Sequence, residues 1–173
     1  NGWKGAVKLR VNADAMTLYA VTDRTWVEDT TLMDQVKEAL EGGITFLQLR
    51  EKHLSKEEFI KEAREMKELS KEYNVPFVIN DNIEVALAVD ADGVHIGQDD
   101  MSVEEARKLL GEDKIIGVSA HNVEEAIKAQ KGGADYLGVG AVCATSTKKD
   151  ANVVSKEEIK KICHTVEIPV VAI

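Results

Sequence analysis

Read by the spacing of its apolar positions, the chain alternates two patterns. Short aliphatic or β-branched runs occur at residues 17–22 (TLYAVT), 45–50 (TFLQLR), 76–80 (PFVIN), 93–97 (GVHIG), 114–119 (KIIGVS), 135–140 (DYLGVG) and 168–173 (IPVVAI). Such runs, bounded by turn-forming residues, predict strands. Between them lie longer segments in which apolar residues recur every three to four positions, predicting helices at about 30–41, 56–73, 83–89, 103–110, 123–131 and 156–164. The helix ends carry their own signals. Ser55 with Glu58 and Ser102 with Glu105 read as capping boxes, and Gly42-Gly43, Gly111 and Gly132-Gly133 stand where helix C-termini favour glycine.

Strands that alternate with helices predict a parallel sheet, because each crossover returns the chain to the same end of the next strand. A (β/α)₈ TIM barrel and a doubly wound open sheet both satisfy that rule. The step GG-(x)-[AI]-[DT]-[YF] recurs in EGGITFLQL and KGGADYLGV, with VDADGVHIG as a looser version, and near-equivalent units of this kind favour the barrel. No linker or change of composition divides the chain, so residues 1–173 are expected to be one domain.

Composition narrows the function classes. A chain of 173 residues with 44% hydrophobic and 31% charged residues is an ordinary globular composition. Its net charge of -9 argues against a nucleic-acid partner, which requires a basic face. No apolar run reaches the roughly 20 residues that span a bilayer, and the N-terminal stretch has no signal-peptide core, so the expected location is cytoplasmic, with no membrane partner. Two cysteines, Cys143 and Cys163, lack metal-site spacing and read as free thiols.

In both architectures ligands bind beyond the C-terminal strand ends, and the polar residues collect there. The first strand runs into Thr22-Asp23-Arg24, and the second carries Gln48 and Arg50 into Glu51-Lys52. The third ends on Asn80-Asp81-Asn82, the fourth on His95 to Asp100, the fifth on Ser119 to His121, and the sixth enters GAVCATSTKKD. Asp81 and Asp100, with Asp99 competing for the second place, are candidate ligands of a hard cation such as Mg²⁺. Arg50, Lys52 and Lys148, with the hydroxyls of Ser119, Thr145 and Thr147, supply the charge and donors that a polyphosphate needs.

Each residue also has a plain structural reading. Asp81 or Asp100 alone would be a helix N-cap, His95 a hydrogen-bonded core histidine, and Arg50 the partner of a neighbouring carboxylate. Their gathering at one end of the sheet is what favours a site. Glu51 stands apart, because a carboxylate beside a pyrophosphate would repel it, so Glu51 is expected to face away and brace a basic neighbour.

These stretches resemble the thiamine phosphate synthase family. The motifs are LYAVTDR, QLREK, VIND, DGVHIGQDDM, IIGVSAHN, and GADYLGVGAV followed by TSTKKDA, in order along nearly the whole chain. The resemblance implies an enzyme joining 4-amino-5-hydroxymethyl-2-methylpyrimidine pyrophosphate to 4-methyl-5-(2-phosphoethyl)thiazole, with Mg²⁺ as cofactor and pyrophosphate as product. It implies Gln48, Arg50 and Lys52 facing the pyrimidine pyrophosphate, and Asn80 on the pyrimidine. It places Asp81 and Asp100 on Mg²⁺, Ser119 and Lys148 on the pyrophosphate, and Thr145 and Thr147 in the segment closing over the thiazole phosphate. Arg50, Lys52, Ser119 and Lys148 would be the catalytic group, the partners would be small molecules, and homo-oligomers are common in such a family.

Two departures accompany the resemblance. The loop after the sixth strand reads GAVCAT where the family carries a proline and an aromatic residue, and the sequence ends at Ile173 where the family continues with a helix and an eighth strand. The expectation is therefore a C-terminally incomplete barrel. Rival readings are a thiazole tautomerase-like barrel, with His121 as candidate base, and a non-catalytic barrel binding a phosphate ligand.

Overall fold

A computed structural model describes residues 10–143 and 153–173. Its seven strands are β1 (Tyr19–Val21), β2 (Phe46–Leu49), β3 (Phe77–Asn80), β4 (Gly93–Ile96), β5 (Ile115–Ala120), β6 (Tyr136–Val139) and β7 (Val170–Ala172). The helices between them are α1 (Leu32–Glu41), α2 (Lys56–Glu72), α3 (Ile83–Ala88), α4 (Val103–Leu110), α5 (Val123–Gly132) and α6 (Lys156–Thr165). All seven strands are parallel and lie in sequence order, each paired with the next.

The sheet is curled into a nearly closed barrel. In an open sheet β1 and β6 would stand about 24 Å apart, five spacings of about 4.8 Å. Here the Tyr19 and Tyr136 hydroxyls are 2.7 Å apart and their rings 5.8 Å, so the two strands face each other across an interior. Inward residues Phe46, Val78, Ile115, Tyr136 and Val171 form an apolar layer. Val11 and Met16, the latter ending a 3₁₀ turn at Ala13–Met16, pack beneath it. The alternate strand residues, among them Leu47, Leu49, Phe77, Ile79, Val94, Ile116 and Leu137, face the helices and form a second, larger core.

The recurring GG-(x)-[AI]-[DT]-[YF] step has a physical basis. Its Thr or Asp stands one residue before the strand and accepts an N–H from the start of the preceding strand unit. Thr45 Oγ1 accepts from Leu18 N at 2.8 Å, Asp92 from Phe77 N at 2.8 Å and Asp135 from Ile116 N at 2.8 Å. A short polar side chain there satisfies a backbone donor that has no ladder partner at the bottom of the barrel. Asp135 is held in turn by Arg10 at 2.9 Å and Arg107 at 2.7 Å.

The helix ends follow the sequence signals with one addition. Ser55 with Glu58 and Ser102 with Glu105 make reciprocal capping boxes, and so do Thr31 and Asp34. Gly111 and Gly133 close α4 and α5 with φ of 82° and 97°, the left-handed region that favours glycine. Six of the seven strands are shorter than their apolar runs by one to three residues, while β5 keeps the length of its run and is shifted one residue towards the C-terminus.

Candidate active site

Above the aromatic layer the barrel opens into a cavity of about 620 Å³ at the C-terminal strand ends. Its wall includes Gln48 and Arg50 from β2 and its loop, Asn80 from β3, His95 from β4, Ser119 from β5, and His121 beyond it. The inward alternation of each strand places them: Phe46, Gln48 and Arg50 share one side, as do Val78 with Asn80 and Ile115 with Ser119. Four of the expected residues, Gln48, Arg50, Asn80 and Ser119, therefore meet in one wall. The Asn80 Oδ1 atom is buried with no hydrogen-bond partner, an acceptor facing a site that can supply a donor.

Lys52, Asp81 and Asp100 form an adjoining cluster outside that wall. Lys52 Nζ lies 2.6 Å from Asp81 Oδ2, an ion pair half open to solvent. The carboxyls of Asp81 and Asp100 share a hydrogen bond, and Asp100 also accepts the Gly97 N–H at 2.6 Å. Desolvation, followed by the hydrogen bond to the Asp81 carboxylate, pushes the Asp100 carboxyl above its usual range. Neither aspartate caps a helix: Asn82 caps α3 by accepting from Val85 N, and Ser102 caps α4. Asp81 takes a left-handed φ of 61° while its N–H donates to the His95 carbonyl at 2.9 Å, which turns the chain at the end of β3 and presents the carboxylate at the rim. Among the described residues no group of three or more His, Cys, Asp or Glu side chains could hold a metal alone, so a cation at Asp81 and Asp100 would need ligands from elsewhere. The neighbouring carboxyls of Asp81 and Asp100 fit a divalent cation, which would relieve the repulsion between the two charges.

Glu51 turns away from the cavity. Its carboxylate lies 2.8 Å from Arg24 Nε with a side chain only 3% exposed, and Arg24 also pairs with Glu62 of α2. Burial first, then the hydrogen bond and charge of Glu62, push the Glu51 carboxyl up to about 7, against the pull of Arg24. Lys148, Thr145 and Thr147 lie outside the described residues.

One aromatic group at this end escaped sequence reading. Trp26, in a 3₁₀ turn at Arg24–Trp26 after β1, lines the cavity mouth with 66% of its surface exposed. Its signal, one aromatic residue in a polar loop, was too slight to single out. Cys143 also lines the cavity as an exposed free thiol, and Cys163 is exposed on α6. His121 Nδ1–H donates to the Glu125 carboxylate at 2.8 Å, in the first turn of α5. His95 is 3% exposed, with Nδ1 2.9 Å from the Tyr136 hydroxyl and Nε2 2.9 Å from Ser119 Oγ, a hydrogen-bonded core histidine that also reaches the site.

A parallel (β/α) barrel whose C-terminal mouth holds a cavity bearing Gln48, Arg50, Asn80 and Ser119 is a barrel enzyme with its site where that fold puts it. Residues 18–173 match the family model described as thiamine monophosphate synthase. The thiamine-phosphate synthase of Clostridium acetobutylicum is 54% identical over 90% of this chain and 74% of its own length. That of Methanobrevibacter smithii is 52% identical over 91% of this chain and 75% of its own. Thiamine phosphate pyrophosphorylase from Pyrococcus furiosus superposes with a TM-score of 0.84 at 42% identity, covering 93% of this chain and 76% of that one. The 3-dehydroquinate dehydratase of Aquifex aeolicus, at a TM-score of 0.58 and 15% identity, shares the fold alone. This chain belongs to the thiamine monophosphate synthase family.

Proposed function

We propose that the cavity joins the pyrimidine pyrophosphate to the thiazole phosphate, releasing pyrophosphate and forming thiamine phosphate in the cytoplasm. The observation that carries this reading is the placement of two unlike surfaces side by side. A cavity walled by Gln48, Asn80 and Ser119 suits a polar heteroaromatic ring, and the Lys52–Asp81–Asp100 cluster at its rim suits a metal-bound diphosphate. Asp81 and Asp100 would hold Mg²⁺, which when bound neutralises charge on the departing diphosphate.

The remaining work belongs to the chain itself. The reacting carbon is benzylic to an electron-rich aminopyrimidine, so its C–O bond can break with the electron pair leaving on pyrophosphate and positive charge spreading into the ring. Asn80 and Gln48 hold the ring by its polar edge, while Arg50, Lys52, Ser119 and Lys148 stabilise the departing anion. The thiazole nitrogen, held close, then donates its lone pair to form the C–N bond. No protein nucleophile takes part. The partners are these small molecules.

The deciding experiment measures pyrophosphate release with each substrate alone and with both, with and without Mg²⁺. Release that needs both substrates and Mg²⁺ supports the synthase. Isomerisation of a thiazole substrate without release would support the tautomerase, and binding of phosphate ligands without turnover a non-catalytic barrel.

A further inference from the structure

A continuous hydrogen-bonded chain crosses the barrel interior between two residues of the cavity wall. Gln48 Nε2 donates to the Tyr19 hydroxyl at 2.6 Å, and the Tyr19 and Tyr136 hydroxyls are 2.7 Å apart. The Tyr136 hydroxyl lies 2.9 Å from His95 Nδ1, and His95 Nε2 lies 2.9 Å from Ser119 Oγ. Five side chains from β2, β1, β6, β4 and β5 are thereby linked, and Gln48, His95 and Tyr136 are each at most 3% exposed. The sequence clears room for the chain. A Cβ at Gly117 would stand 2.0 Å from Tyr136 Cζ, and one at Gly138 would stand 2.9 Å from His95 Cε1.

The polarity of such a chain follows from one end. The Gln48 amide nitrogen can only donate, so the Tyr19 oxygen accepts and its single proton goes to Tyr136. The Tyr136 proton then goes to His95 Nδ1, which fixes the ring proton on Nε2, and Nε2–H donates to Ser119 Oγ. The Ser119 proton is left to point into the cavity. In the reverse polarity that proton would be taken up by His95, and Ser119 would present only lone pairs, which repel an anion. Burial pushes both phenols above their ordinary range and keeps their protons in the chain.

We infer that His95 is a positioning residue: the chain Gln48–Tyr19–Tyr136–His95–Ser119 holds it as the Nε2–H tautomer, which makes Ser119 an obligate donor to the anion and couples ring recognition at Gln48 to anion recognition at Ser119. The inference rests on the reading of Ser119 as a contact of the leaving diphosphate. Tyr136 and Tyr19 act through it without touching substrate.

The test uses full-length active enzyme and two independent readouts. In ¹⁵N-histidine-labelled protein, His95 is expected to show a pyridine-type Nδ1 and a pyrrole-type Nε2, a preference weakened in Tyr136→Phe; the opposite tautomer overturns the polarity. In kinetics, Ser119→Ala and Tyr136→Phe should each lower kcat by about three- to tenfold, the scale of one lost hydrogen bond, with little change in KM. The double variant should be no slower than Ser119→Ala alone. Multiplying losses, or an unchanged kcat in Tyr136→Phe and in Tyr19→Phe with intact thermal unfolding, overturns the coupling. An unchanged kcat in Ser119→Ala overturns the anion role beneath it, while the nuclear magnetic resonance result still decides the tautomer.

Discussion

Two pairs of carboxyl groups flank the β2–α2 loop, and each is served by one basic side chain. Glu51 and Glu62 share Arg24, whereas Asp81 and Asp100 share a hydrogen bond and have Lys52 as their cation. The first pair is closed: Glu51 is 3% exposed and its guanidinium partner bridges the β1 loop to α2. The second is open, with Asp81 29% exposed beside the cavity. Like charges brought together cost free energy in either place. In the closed pair Arg24, a fixed part of the fold, relieves that cost, so the pair serves as a latch for the loop that carries Arg50 and Lys52. In the open pair the relief can come from a ligand, and a cost that a ligand removes becomes binding free energy.

Removing a charge from each pair should separate the two roles. The largest effect is expected for Asp100→Asn, which should lower kcat/KM by about a hundredfold or more, the scale of losing a preorganised charge at a developing anion. Thermal stability should hold or rise, because the carboxyl–carboxyl contact is relieved; steady-state kinetics with a parallel melt checks both, and full activity would remove Asp100 from the site. Arg24→Met should do the reverse. It strands Glu51 and Glu62 without their cation and should cost about 2 kcal/mol, below the full penalty for a buried pair because Arg24 is 45% exposed. Denaturant unfolding measures the loss, and the folded fraction should keep most of its turnover. A large fall in turnover at unchanged stability would make the latch part of the site.

How much of this was legible in the sequence depended on range. Strand and helix positions rest on periodicity within a few residues, so all seven strands and six helices could be read before the fold was known. Asp81 and Asp100 could be paired because they follow adjacent strands of a parallel sheet, and strand order carries them to the same rim. The Arg24–Glu62 contact and the Tyr19–Tyr136 contact had no such guide. Tyr19 and Tyr136 are 117 residues apart and each reads as an aromatic position in an apolar strand. Only closure of the barrel brings their hydroxyls together, and only then does His95 become more than a core histidine. The Thr31–Asp34 box departs from the usual pattern, in which Glu or Gln stands three residues after the cap.

The closed pair also makes a prediction about acidity. Glu51 titrates near 7 in the folded chain and near its ordinary value, about 4.5, when unfolded. Between those values the folded state holds a proton that the unfolded state has released, so stability falls as pH rises from about 4.5 through about 7. Melting temperatures across that window should decline, and Glu51→Gln, which cannot titrate, should flatten the decline. An identical slope in Glu51→Gln would place the proton elsewhere.

The smallest effect is expected at His121, which separates the synthase from a barrel enzyme that needs a base there. His121 lines the cavity, yet its Nδ1 and its backbone N–H both engage the Glu125 carboxylate at 2.8 Å, tying it to the first turn of α5. A group that departs with its own electron pair needs no general base, so His121→Ala should change kcat by less than about threefold, within the scale of a minor hydrogen bond. The same variant should lose a little stability, since the imidazole contact to Glu125 goes while the backbone one remains. A fall of a hundredfold, with substrate still bound, would mean that a proton is moved at His121 during the rate-limiting step. The open carboxyl pair would then serve binding and not departure of the anion.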